Sequence, residues 1–119
     1  MVMDDETMLL ELAQSQLTAL GHEAILVTNG VQAINRYQEL QDQKAPVDLL
    51  IMDLTIPGGM GGQEAAEKLL QLDPKAKIIV ASGYSNDPVM ADYKKYGFCA
   101  TLIKPFDLKD LSNAIASSL

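Results

Sequence analysis

Short apolar runs alternate with amphipathic stretches along all 119 residues, and this alternation limits the fold more tightly than any other feature of the chain. The run that anchors it is residues 47–55, Val-Asp-Leu-Leu-Ile-Met-Asp-Leu-Thr, which ends on an acidic residue and soon meets the breaker Pro57-Gly58-Gly59. It reads as a buried strand that delivers Asp53 to a sheet edge. The pattern repeats on either side. Leu9, Leu12, Ala13, Leu17 and Leu20 recur at helical spacing over residues 7–20, and Gly21 stops that helix. Residues 24–27 form a short strand, after which Asn29 and Gly30 turn the chain into a helix marked by Val31, Ile34, Tyr37 and Leu40. A third helix begins near Gln63 with Ala66, Leu69 and Leu70 inward, and Asp73-Pro74 breaks it. Residues 77–81 and 100–103 are further strands. Asp87 before Pro88 opens a helix over residues 88–96, and Asp107 caps a last one over residues 108–117.

With the short apolar entry at residues 1–3, this is five strands alternating with five helices. A (βα)5 pattern requires parallel strands joined by right-handed crossovers with helices on both faces. The expected fold class is therefore α/β: a flavodoxin-like, doubly wound three-layer sandwich with a parallel five-stranded sheet in the order 2-1-3-4-5. The chain is one domain, residues 1–119, because this length supports a single core and no second. Only three residues precede Asp4, where a strand usually runs to about five or six. This predicts a short first strand and a chain cut at a domain boundary.

Composition removes several function classes. A formal charge of -7 argues against direct binding to nucleic acid or anionic membranes, both of which need a basic face. No run approaches the roughly 18 apolar residues of a membrane span, and the N-terminus lacks the pattern of a signal peptide, so a cytoplasmic protein is expected. The single Cys99 cannot form an internal disulfide and reads as a small buried hydrophobe. His22 follows a helix-ending glycine and has no second histidine to share a metal with, so it reads as exposed and structural.

In an open parallel sheet the ligand site lies at the carboxyl ends of the strands, where strand order reverses. Asp4 and Asp5 follow strand one, Asp53 and Thr55 strand three, Ser82 and Gly83 strand four, and Lys104 strand five. Singly, each has an ordinary reading as a helix-start acid, a turn residue or a surface lysine. Together they place three carboxylates, a hydroxyl and a lysine on one edge. Clustered carboxylates repel and take up protons unless a cation neutralises them. Mg2+ suits such hard oxygen ligands, with the Thr55 carbonyl as a further donor and Mn2+ as a substitute. The metal, Lys104 and Ser82 would then meet the oxygens of a transferring phosphoryl group, with Asp53 as the carboxylate nucleophile.

Met3-Asp4-Asp5-Glu6, Met52-Asp53-Leu54 with Pro57-Gly58, Ser82-Gly83 and Lys104-Pro105-Phe106 together resemble the signature set of the receiver domain of two-component response regulators. The resemblance covers essentially the whole chain. It implies that Asp53 is the phosphoacceptor, that Asp5, Asp53 and the Thr55 carbonyl bind Mg2+ with Asp4 assisting through water, that Ser82 is the hydroxyl switch, and that Lys104 contacts the phosphoryl group. The implied donor and partner is a histidine kinase or histidine phosphotransfer domain. The isolated module would not be an enzyme, apart from self-phosphorylation by small phosphodonors and self-dephosphorylation. A phosphorylation-dependent dimer through helix four, strand five and helix five is also implied. Residues 54–62, 82–89 and 96–105 are particularly similar to receivers attached to hybrid sensor histidine kinases.

Many receivers carry an aromatic ring at the third position before the lysine, and this chain has Thr101, so an aromatic rotamer switch is not available there. Two other functions compete. A phosphohydrolase of the haloacid dehalogenase type also uses a strand-end aspartate and Mg2+, but needs a second Asp two residues on, where this chain has Thr55. A non-phosphorylated pseudo-receiver scaffold would not need the intact acidic set. The glycine-rich loop is not a phosphate cradle of the P-loop kind, because the Lys and Ser/Thr of that motif are missing.

Overall fold

The computed structural model describes residues 1–119. Its sheet is parallel throughout, in the order β2-β1-β3-β4-β5 that the alternation predicted, with β1 Val2–Met3, β2 Leu26–Val27, β3 Leu50–Asp53, β4 Ile78–Ser82 and β5 Ala100–Ile103. The first strand is only two residues long, yet it lies mid-sheet: Val2 pairs with Leu26 on one side and Ile51 on the other. Pairing on both sides fixes its register despite its length, and Asp4 therefore leaves the sheet beside Asp53.

Alternation along the strands divides the core into two layers. Met3, Leu50, Met52, Ile78 and Val80 face the side covered by α2 Gly30–Asp42 and α3 Gly62–Leu72. Val2, Ile51, Ile79, Ala81 and Leu102 face α1 Thr7–Ala19 and α5 Leu108–Ser118. Burial of each large aliphatic side chain contributes roughly 1.5–3 kcal/mol, so the central strands are held from both faces. No helix is long and apolar enough to cross a membrane.

Helix α1 shows how an apolar-rich segment hides its inner face. The spacing put Leu9 and Leu12 inward, but Leu10, Ala13 and Leu17 are buried while Leu12 is 46% exposed. With leucines at 9, 10 and 12, the stripe is wider than the contact, and the sheet selects its centre. In α2, Asn29 is the N-cap, accepting the Gln32 N–H at 2.9 Å, and Gly30 is already helical. The buried Tyr37 of α2 donates its hydroxyl to Asp73 beyond α3 at 2.6 Å, tying the two helices together. Tyr37→Phe should lower stability by about 1–2 kcal/mol in urea denaturation without altering chemistry at the opposite end of the sheet.

The single helix expected over residues 88–96 is divided. Asp87 caps α4 Pro88–Ala91, accepting the Val89 N–H at 2.9 Å, but the chain leaves helical geometry at Asp92 and continues as the 3-10 turn Tyr93–Tyr96. Gly97 follows in the left-handed region at φ 88°, which lets the chain reverse and bury Phe98. The last helix begins as expected. Asp107 accepts the Asp110 N–H at 2.7 Å and Asp110 accepts the Asp107 N–H at 3.3 Å, a reciprocal capping box. His22 is exposed, as its position after Gly21 suggested, whereas Cys99 is half-buried rather than a core residue.

Candidate functional site

Asp4, Asp53, Ser82 and Ser118 are the polar residues buried in this chain, and the first three stand at the carboxyl ends of β1, β3 and β4. Ser118 is satisfied locally by the Ala114 carbonyl at 2.8 Å. The other three surround the half-buried Lys104, which follows β5. Lys104 Nζ lies 2.9 Å from Asp4 Oδ2 and 3.1 Å from Asp53 Oδ2, so one ammonium bridges two carboxylates from separate strands. The other Asp53 oxygen, Oδ1, is approached by the Thr55 N–H at a long 3.4 Å, which leaves it acceptor capacity. Ser82 Oγ accepts the Tyr84 N–H at 3.1 Å, and this orients the hydroxyl group at the end of β4.

Local packing explains why Asp53 sits where it does. The glycine-rich loop 57–62 brings α3 against the end of β3, and a Cβ on Gly62 would stand 2.7 Å from the Asp53 carbonyl oxygen. The loop thus serves close approach of backbone to backbone. Gly62→Ala should shift the Asp53 main chain and lower stability by about 1–3 kcal/mol, measurable in urea.

Burial raises the Asp53 pKa above its ordinary 3.8, and the nearby Asp4 charge adds to this, while the Lys104 ammonium and the Thr55 N–H oppose it. Burial pulls the Lys104 pKa down, but hydrogen bonds and charge from Asp4 and Asp53 outweigh it and hold the group above 10.5. The two directions agree physically: a buried pair of acids sharing one cation leaves the acids under-neutralised and the cation over-stabilised.

The expected metal set is not gathered into one cluster. Asp4, Asp5 and Glu6 can each offer an oxygen with all three within 4.8 Å of one another, whereas Asp53 is joined to Asp4 through Lys104. Asp5 and Glu6 are exposed, as is Thr55. Glu6 was part of the acidic run but had no assigned role; its contiguity with Asp4 and Asp5 was the available signal. The donors remain hard carboxylate oxygens around a buried acidic edge, a set that fits Mg2+.

This combination defines a doubly wound α/β domain with an acidic, lysine-bridged site at the strand-order reversal. The family model described as the response regulator receiver domain matches residues 1–116, and the chain belongs to that family. It is 32% identical over 107 residues to the chemotaxis protein CheY of Thermotoga maritima, covering 89% of this chain and 84% of that one. It is 24% identical over 119 residues to sporulation initiation phosphotransferase F of Bacillus subtilis, covering 100% and 91%. Among solved structures, the response regulator TrrA of T. maritima in complex with Mg(2+)-BeF superposes with a TM-score of 0.81 at 27% identity, covering 99% and 96%. The chain is thus a receiver domain of two-component signal transduction, a signalling module. Nothing at the site favours the haloacid dehalogenase alternative, since Thr55 supplies no carboxylic acid.

Proposed function

We propose that Asp53 accepts a phosphoryl group from a phosphohistidine of a histidine kinase or phosphotransfer domain, with Lys104 and Ser82 as its partners in the reaction. The observation that carries this reading is the Lys104 bridge between buried Asp4 and Asp53 at the carboxyl edge of the sheet. An Asp53 oxygen forms a bond to phosphorus as the donor's P–N bond breaks, and the imidazole leaves with the electron pair and takes up a proton. Lys104 can follow a phosphoryl oxygen with its ammonium, and Ser82 can donate its hydroxyl proton to another. Burial of the strand end keeps bulk water from the new acyl phosphate.

Asp5, Asp53 and the Thr55 carbonyl, with Asp4 and Glu6 adjacent, are the residues that would hold Mg2+, and Mn2+ by the same oxygen chemistry. When bound, the ion supplies positive charge against the phosphoryl oxygens. The Mg(2+)-BeF complex of TrrA supports this part of the reading. Self-phosphorylation from small phosphodonors and self-dephosphorylation follow from the same chemistry. Signal output is assigned to the face of α4, β5 and α5; beside α4, Thr101 of β5 lines an open groove of about 740 Å³ with Lys94 of the 3-10 turn and Asp110 and Asn113 of α5. A phosphorylation-dependent dimer through that face, a cytoplasmic place of action and attachment to a hybrid histidine kinase belong to the same proposal.

The test is intact-mass and peptide mass spectrometry after incubation with acetyl phosphate and Mg2+. One added phosphoryl group on Asp53, lost on hydroxylamine treatment, is expected; an unmodified chain would overturn the reading.

A further inference from the structure

Gln16, in the third turn of α1, is not among the residues assigned so far. Its Nε2 donates to the Phe106 carbonyl at 3.1 Å, across 90 positions of sequence. Phe106 is two residues beyond Lys104. The loop between them is anchored before by Lys104 N–H to the Ser82 carbonyl at 2.8 Å, and after by the Asp107–Asp110 capping box. Between these two anchors, the Gln16 amide makes the hydrogen bond that holds the Pro105–Phe106 segment.

Gln16 Oε1 is the one buried side-chain polar atom of the chain with no hydrogen-bond partner from the protein. It borders a cavity of about 20 Å³ whose lining includes Leu9, Leu12 and Phe106 alongside Asp4 and Lys104. A methionine or leucine at this position has similar volume and lacks the amide donor. Reversing the amide would set oxygen against the Phe106 carbonyl oxygen, so the orientation is fixed by chemistry. Gln16 thus ties the helix after Asp4 to the loop after Lys104, and through that loop it bears on the geometry of the pair.

We infer that Gln16 is a positioning residue for Lys104, its amide holding the Phe106 carbonyl so that the ammonium reaches Asp4 and Asp53 together. The inference rests on the phosphoacceptor reading for its consequence in rate, and on the hydrogen bond itself for its consequence in structure.

The experiment compares the wild-type chain with Gln16→Met and Gln16→Leu in three measurements. Urea midpoints of the metal-free proteins should stay close to the wild-type value. Lysine-selective 15N NMR of the metal-free proteins should show the Lys104 ammonium signal displaced, since its two carboxylate contacts are no longer held. Phosphorylation by acetyl phosphate at saturating Mg2+ should slow by roughly ten- to a hundredfold, the scale on which small misplacements of a reacting group act. An unchanged Lys104 signal in both variants would overturn the inference whether or not the chain is phosphorylated. Lower midpoints with a wild-type phosphorylation rate would assign Gln16 a structural role and overturn it too. A wild-type chain that takes no phosphoryl group would instead refute the phosphoacceptor reading, and the NMR comparison would still decide the inference.

Discussion

Asp53→Asn is expected to abolish phosphoryl acceptance from acetyl phosphate while leaving a folded chain of unchanged helix content. The amide keeps the volume of the carboxylate but has no oxygen nucleophilic enough to displace a leaving group at phosphorus. The fold should survive, because Met52 and Ile51 carry the packing of β3 and Lys104 keeps its 2.9 Å contact with Asp4. The pH dependence of stability gives an independent check. Burial raises the Asp53 pKa above its unfolded value of 3.8, so over the range between the two values the native state binds more protons than the unfolded one. Stability contributed by this group is then greatest in acid and falls as pH rises through that window. Urea titrations of the metal-free protein should show this fall, and Asp53→Asn should flatten it. An identical slope in the variant would mean that Asp53 ionises as an ordinary surface carboxylate.

The position of Asp53 was legible in the sequence because a buried parallel strand is a continuous apolar run, and the acidic residue that follows Leu49–Met52 ahead of the Pro57-Gly58-Gly59 breaker marks its carboxyl end. The same logic located Ser82 and Lys104, since residues at the ends of β4 and β5 must share the edge of β3 once the strand order is fixed. Contacts between side chains were less legible. Strand ends place Asp4 and Asp53 near one another, but whether a lysine 100 residues downstream meets one acid or both depends on side-chain reach and on how the loop after β5 is held. Nothing in the pattern around Gln16 signalled its contact with Phe106, because a glutamine that follows Gln14 and Ser15 in an amphipathic helix looks solvated. The division of α4 from the 3-10 turn was hidden for another reason. Pro88 and Asp87 are strong start signals, whereas the stop at Asp92 is imposed by the need to return Phe98 to the core. In α1 the apolar residues outnumbered the inward positions, so the helix could be assigned but its rotation could not.

Lys104→Met should separate two properties of the site that a general loss of structure would move together. The methionine keeps most of the aliphatic packing and removes the charge. Without the ammonium, Asp4 and Asp53 are two buried carboxylates with no cation between them, and the metal-free protein should lose about 1–3 kcal/mol in urea at neutral pH. That is less than the penalty for a fully buried pair, because Lys104 keeps partial contact with solvent. Lys104 is held above 10.5 by its two acids, so in the wild type its contribution is present at neutral pH and is lost as pH rises through the folded value. The variant should lack that alkaline loss. Mg2+ should bind the variant several-fold more tightly, since a neighbouring positive charge that competed for the same carboxylates is gone. Phosphorylation by acetyl phosphate should nevertheless fall by roughly a hundred- to a thousandfold, the usual consequence of removing a group that meets developing charge in the transition state. Tighter metal binding with slower chemistry would identify Lys104 as a partner of the phosphoryl group, whereas weaker metal binding with slower chemistry would reduce it to a structural brace of the acidic edge.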